Sequence, residues 1–294
     1  MVVGRGHVLN YCAVDARKFL GINPIDDSSR WSLAVTPAVS TPGQFLYGGC
    51  GLAAGIVALE AASDRPAVWA SAQYLAHAPT GSTLEIEVII AATGKHVTQA
   101  RAIARNGDSE VLTVNAALGR YVIEDEGAWV EMPDVPPPLE CPARLLPPAF
   151  ANSVLSRVEQ RQASGRSVAE LDGTPGPANS SCWMRVPGHL EPSAATLAVM
   201  GDMVSGGASH PLGRMVSGRS LDNTLRVVKL VPTEWILCDI QMHAVANGFG
   251  HGLAHLWAED GTLLATASQS IGLRAWPEEA LAALLAGTSS TTAS

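Results

Sequence analysis

The stretch "EPSAATLAVMGDMV", residues 191–204, is apolar at nearly every position from Ala194 to Val204. A run of this length without polar alternation fits a helix buried on all sides, with Pro192 near its first turn, where proline is tolerated. Asp202 is the exception. A carboxylate in such surroundings loses hydration at a cost of several kcal/mol unless something compensates it. On either side the pattern changes to strands. "SCWMRV" (181–186) precedes the helix, and "SLDNTLRVVKLV", "EWILCDIQMHAV", "GHGLAHLWA" and "LLATASQSIGLR" follow it.

The same order occurs earlier in the chain. "GGCGLAAGIVALEAA" (48–62) fits a buried helix, and "AVWASAQYLAHA", "TLEIEVIIAA", "HVTQARAIAR" and "EVLTVNAAL" then read as strands. The turn signals "PTGS", "TGK" and "RNGD" separate them. "TLEIEVII" alternates as a strand with one wet face should. Punctuation recurs at a nearly fixed spacing. "APT" (78–80) returns as "VPT" (231–233), a shift of 153, and Gly94, Gly107 and Arg120 match Gly248, Gly261 and Arg274 at 154. This is an internal duplication. Each copy is a long helix with antiparallel strands, an α+β unit whose sheet buries one face against the helix. The proline-rich stretch "EMPDVPPPLECPARLLPP" (131–148) divides them. The expected organisation is an N-terminal unit over 1–130, a linker over 131–150 and a C-terminal unit over 151–294. Strands of both units are expected to join one continuous sheet, each covering an edge of the other.

The duplication also separates two kinds of copy. At these offsets Ser220 corresponds to Ala67 and Gln269 to Asn115, and no acid lies between Phe45 and Leu59. One copy holds an acid, a hydroxyl and a glutamine, and the other holds none of them.

Bulk properties narrow the function. A net charge of -8 with scattered Lys and Arg argues against nucleic-acid binding and against a basic membrane-surface patch. No window is long and apolar enough to span a bilayer, and the first residues lack a signal-peptide pattern. Five cysteines with no CxxC pair indicate neither a zinc site nor a disulfide framework. A cytoplasmic protein is expected.

"FLYGGCGLAAG" (45–55), "CWMRVPGHLEPSAATLAVMGD" (182–202), "RSLDNTLRVV" (219–228) and "GTLLATASQSIGLR" (261–274) resemble the acyl-CoA thioesterase II (TesB-like) family. The resemblance spans most of residues 30–275 and implies a double hotdog, two wrapped-helix units fused in one chain. It implies a catalytic trio of an acid, a hydroxyl and an amide, which fall here on Asp202, Ser220 and Gln269. The glutamine is commonly followed by Glu-Gly in that family, whereas Ser270 and Ile271 follow it here. The implied activity is hydrolysis of acyl-CoA to free acid and CoA, with no cofactor and no metal. Association of fused units into a homo-oligomer is left open.

That chemistry needs an activated water and a place for charge on the carbonyl oxygen. A carboxylate partly removed from water has the raised proton affinity of a general base. Gln269 can orient the water, and Ser220 can hold the network by donating to Asp202. Gly48 and Gly49, where the first helix begins, are the candidate oxyanion and substrate contacts. Lys95, Arg101, Arg214, Arg219 and Lys229 are candidates for the CoA phosphates.

Two other function classes fit less well. A hotdog enoyl-thioester hydratase or dehydratase pairs a His with an acid at a helix start, and "YGGCG" and "PSAAT" offer no His. A non-catalytic acyl-thioester binding protein would keep Asp202 as a relic. Gly49-x-Gly51-x-x-Ala54 resembles a dinucleotide fingerprint, but the short hairpin turns do not suit a parallel βαβ unit. His243, His251 and His255 cluster without an acid or Cys to complete a metal-ligand set.

Overall fold

The computed structural model describes residues 15–276 apart from 27–28, 124, 145, 147 and 189. The first unit contains α1 (Ala16–Leu20), β1 (Ile22–Pro24), β2 (Arg30–Ala34), α2 (Gly48–Ser63), β3 (Ala67–Tyr74), β4 (Thr83–Thr93), β5 (Val97–Asn106) and β6 (Ser109–Gly119). The second contains β7 (Glu159–Ser164), β8 (Asn179–Arg185), α3 (Ala194–Gly201), α4 (Val204–Gly207) and α5 (Ser209–Leu212). It continues with β9 (Val216–Ser220), β10 (Asp222–Val227), β11 (Ile236–Ala246), β12 (Phe249–Ala258) and β13 (Leu263–Ala275).

All strands lie in one antiparallel sheet, ordered β1-β2-β4-β5-β6-β3-β10-β13-β12-β11-β8-β7, with β9 paired to β13. The expected continuity holds through β3 and β10, which pair Ser71 with Thr224 at the seam. Their hydroxyls lie 2.7 Å apart, and the two residues are equivalent under the 153-residue shift. Pairing of equivalent residues is what a pseudo-twofold axis through the seam requires.

The register corrects one correspondence. Ser71 pairs with Asn115, and Thr224 pairs with Ser268, so the counterpart of Gln269 is Ala116 rather than Asn115. Ala116 is buried on the helix-facing side, as Gln269 is, while the Asn115 side is exposed. The counterpart of Ser220 remains Ala67, since Ala67 pairs with Leu118 and Ser220 with Ile271.

The helices lie against the inner face of the sheet. α2 is buried continuously from Gly49 to Leu59, which is why its sequence shows no polar stripe. Small buried residues such as Ala72, Ala102, Ala116, Ala254 and Ala267 face the helices, so much of the alanine content serves close helix–sheet packing. The second helix is shorter than its sequence suggests. It is capped by the Ser193 side chain, leaving Pro192 before the cap, and it ends at Gly201 with Asp202 as its C-cap. Two single turns, α4 and α5, complete the layer.

Residues 131–150 are not an open tether. Met132 and Val135 pack with Trp183, Trp235, Leu237 and Trp257 on the outer face of the second unit, and Trp183 Nε1 donates to Pro136 O at 2.9 Å. Short 3₁₀ turns occupy Pro138–Glu140 and Pro148–Phe150. Among the described residues no helix is long and apolar enough to cross a membrane. Cys50, Cys141, Cys182 and Cys238 are free thiols, and Cys12 lies outside the described residues.

Candidate active site

α2 and α3 pack antiparallel, so the first turn of α2 meets the last residue of α3. Two glycines allow the close approach. A Cβ on Gly49 would come within 2.8 Å of Ala198 O and of Asp202 Cβ, and one on Gly48 within 2.9 Å of Asp202 Oδ2. The α2 N-cap, Tyr47, supplies no side-chain cap, which leaves the first N–H groups of the helix to other acceptors. The Gly49 N–H donates to Asp202 Oδ2 at 2.6 Å. Gly48 N–H has no protein acceptor among the described residues. The Tyr47 hydroxyl, in turn, donates to Asp202 O at 2.9 Å and Val199 O at 3.3 Å, satisfying carbonyls at the end of α3.

Asp202 is 5% exposed. Its other oxygen, Oδ1, accepts from Asn223 Nδ2 at 3.2 Å and from Gln269 Nε2. Burial lifts the carboxyl to about 7, against the opposing pull of the hydrogen bonds from Gly49, Gln269 and Asn223. Its position answers the question posed by the sequence. The C-terminus of a helix is unfavourable for an anion, but here the N-terminus of α2 faces it and supplies the Gly49 N–H.

Asp202, Gln269 and Ser220 therefore meet at one place, with one change of arrangement. Ser220 does not reach Asp202; its Oγ accepts from Gln269 Nε2 at 3.1 Å. It steadies the amide rather than the acid. The backbone aims Gln269 inward at a local break in pairing. β13 leaves β10 at Ser268 and takes up β9 at Ile271, while Ser270 N donates to Asp222 Oδ1 at 2.7 Å. Gly48 and Gly49 lie at the same site, but the Gly49 N–H is occupied by the acid.

Sequence reading missed Tyr47, Tyr74, Asp222 and Asn223. Tyr74 and Tyr47 belong to the copy that lacks the acid, and Asn223 sits in a run readable only as strand. A polar residue on the buried face of that strand was the available signal, since Asn223 is 1% exposed.

A cavity of about 390 Å³ lies among β7, β8, β11, the segments flanking β7 and α4–α5, lined by Gly206, by the apolar Phe150, Met184, Met203 and Ile240 and by the charged Arg144 and Arg166. None of the trio lines it, but Met203, the residue after Asp202, does. Its volume falls within the usual range of small-molecule sites. Among the described residues no group of three or more His, Cys, Asp or Glu side chains is placed to hold a metal. His251 instead lies 3.3 Å from Ser270 Oγ.

Residues 36–119 match the acyl-CoA thioesterase N-terminal domain family and residues 131–273 the acyl-CoA thioesterase C-terminal domain family. A protein of Novosphingobium aromaticivorans assigned as a thioesterase is 30% identical, with 85% of this chain and 98% of that chain covered and a TM-score of 0.77. The tesB protein of Mycobacterium avium subs paratuberculosis shares the fold at 18% identity, covering 88% and 98% of the two chains with a TM-score of 0.72. An acyl-CoA thioesterase II, TesB2, of Mycobacterium marinum does so at 16% identity, covering 89% and 97% with a TM-score of 0.68. Among curated proteins no sequence matches the chain. With both halves matched in order, and with two helices sharing one sheet, the chain belongs to the acyl-CoA thioesterase family and is a thioester hydrolase of double-hotdog fold.

Proposed function

We propose that the protein hydrolyses acyl-CoA to the free acid and CoA, with Asp202 as general base, Gln269 positioning the water and Ser220 holding Gln269. The observation that carries this reading is the burial of Asp202 among the Gly49 N–H and the Asn223 and Gln269 amides. A carboxyl lifted to about 7 is partly ionised near neutral pH and basic enough to take a proton from water. Oδ1 is occupied by two amides, whereas Oδ2 has only the Gly49 N–H, so the open lone pair of Oδ2 is the basic one. Gln269 Oε1 has no partner and can accept the second hydrogen of the same water.

In the first step the water oxygen bonds to the thioester carbonyl carbon, its proton passes to Asp202, and the carbonyl becomes an oxyanion. Collapse of that intermediate breaks the carbon–sulfur bond. The departing thiolate takes the proton back from Asp202, leaving free acid, CoA thiol and the original carboxylate. Gly48 N–H, free at the positive end of α2, suits the oxyanion; Gly49, whose N–H is engaged, does not. The cavity beyond Met203 suits the acyl tail.

The test is thiol release from acyl-CoAs of increasing length by wild type and Asp202→Asn. Release by wild type and its loss in the variant are expected. Equal release by both would remove Asp202 as base, and no release by wild type from any acyl-CoA would remove the reading.

A further inference from the structure

Five buried side-chain polar atoms among the described residues lack a partner: Thr41 Oγ1, Tyr74 Oη, Asn223 Oδ1, Trp257 Nε1 and Gln269 Oε1. Asn223 and Gln269 both bind Asp202 through their other amide atoms. Tyr74 belongs with them. A Cβ built on Gly48 would lie 3.0 Å from Tyr74 Oη and 2.9 Å from Asp202 Oδ2, so the phenol and the basic carboxylate oxygen both pack closely against Gly48. Leaving a buried polar group unpaired costs stability. The Tyr74 phenol and the Asn223 side chain lie close enough to interact, and with Gln269 Oε1 they gather polar atoms with spare hydrogen-bonding capacity around one carboxylate.

The phenol is a fixed donor. Burial, and then the nearby Asp202 carboxylate, push its pKa well above the ordinary tyrosine value, so it keeps its proton throughout the working pH range. β3 carries it to the seam, where Tyr74 N donates to Leu221 O at 3.0 Å. The asymmetry of the duplication bears on it too. Under the register shift the counterpart of Tyr74 is Val227, since Tyr74 pairs with Leu112 and Val227 with Ala265. The unit with the acid has valine where the unit without the acid has the phenol.

We propose that Tyr74 is a catalytic residue, its O–H donating to the thioester carbonyl oxygen beside the Gly48 N–H and holding the oxyanion while Asp202 takes the proton of the attacking water. This rests on the hydrolysis proposed above. The phenol gives up no proton; its hydrogen bond strengthens as negative charge develops and relaxes when the thiolate leaves. The copy that looks degenerate in sequence thus supplies both oxyanion donors.

Tyr74→Phe in the full-length chain tests this, with wild type and Asp202→Asn measured alongside for thiol release and thermal midpoint. Losing one preorganised donor typically lowers kcat by about 10²–10³-fold. That loss is expected with KM within about threefold, a thermal midpoint level or higher, and the Asp202 limb of the pH profile retained. The ring, which packs against Gly48, is kept, and the deleted hydroxyl gives up only its contact with Asn223. Wild-type kcat in Tyr74→Phe, with Asp202→Asn inactive, would overturn the role of Tyr74 and leave the hydrolysis mechanism standing. A fall in thermal midpoint with a raised KM and unchanged kcat would make Tyr74 a packing residue and overturn it as well. An inactive wild type would overturn both.

Discussion

At one end of the α2–α3 pair, the uncapped first turn of α2 faces Asp202; at the other, the first turn of α3 faces Val57, Glu60 and Ala61. The second end also has a cleft, of about 430 Å³, bounded by Asp15, Arg17, Glu60, Glu191 and Ser193. The parts are similar, yet the donors are spent differently. Ser193 Oγ accepts from Thr196 N at 3.1 Å and closes the start of α3. Glu60, raised in pKa by burial, accepts from Ala67 N at 2.8 Å and so ties α2 to its own strand. Where Gly48 and Gly49 let the acid in, Ala194 and Ala195 carry side chains. An acid near a helix start is therefore not enough to make this site: the helix must begin uncapped, with no side chain in the way, and the acid must come from the other unit.

The sharpest test of this asymmetry is Asp202→Asn against Glu60→Gln. Removing the base is expected to lower kcat by about 10²–10⁴-fold, while Glu60→Gln should stay within about twofold. A comparable loss in both would break the comparison. Asn can also be accommodated. Gln269 and Asn223 have unpaired carbonyl oxygens, and flipping both amides gives each hydrogen of the new Nδ2 an acceptor in place of the two donors that meet Oδ1.

Stability should follow pH accordingly. Because folding raises the Asp202 pKa from 3.8 to about 7, the native state binds more protons between these values, and wild type should lose stability as pH rises through them. The thermal midpoint of Asp202→Asn should gain on wild type between pH 5 and pH 8, and a constant gap would show that Asp202 titrates normally. In wild type, kcat/KM should fall as pH drops below about 7, and this limb should be missing from residual activity of the variant.

Gln269→Ala comes next, with an expected ~10²-fold loss in kcat and little change in KM, as for a preorganised group acting on the transition state. A large KM rise with kcat intact would instead make Gln269 a substrate-binding residue. Gly49→Ala should cost about 1–3 kcal/mol of stability by forcing the helices apart, with activity falling too; denaturant midpoints of the variant and wild type check this. Gly206→Leu is the mildest change. A Cβ there meets nothing within 4 Å, so the side chain should enter the cavity, leave stability level and shift preference toward shorter acyl chains. An unchanged chain-length profile would separate the cavity from the acyl tail.

Much of the fold was legible because turns and periodicity are local. Gly107 and Gly261 both have positive φ in their hairpin turns, and "TLEIEVII" forms β4 with an alternating burial pattern. The copy that carries the acid was legible for the same reason: Asp202 and Gln269 are polar residues in apolar runs. What failed was finer. The shift of 154 shown by the flanking turns matched Gln269 to Asn115, and hydrogen-bond register moved it to Ala116 at 153, because a one-residue slip turns a side chain to the other face. Ser220 was near the right group but bonded to the amide.

By itself, the sequence determined that the chain is duplicated, that each copy wraps strands around an apolar helix, and that a single copy carries the acid, hydroxyl and amide. Tertiary structure alone decided that residues of the other copy meet Asp202. Gly49 and Asp202 are 153 residues apart, and Tyr74 lies in a strand whose local pattern matches any other. Backbone propensity and side-chain alternation are read over a few neighbours, whereas a hydrogen bond across an antiparallel helix pair depends on where two distant units dock.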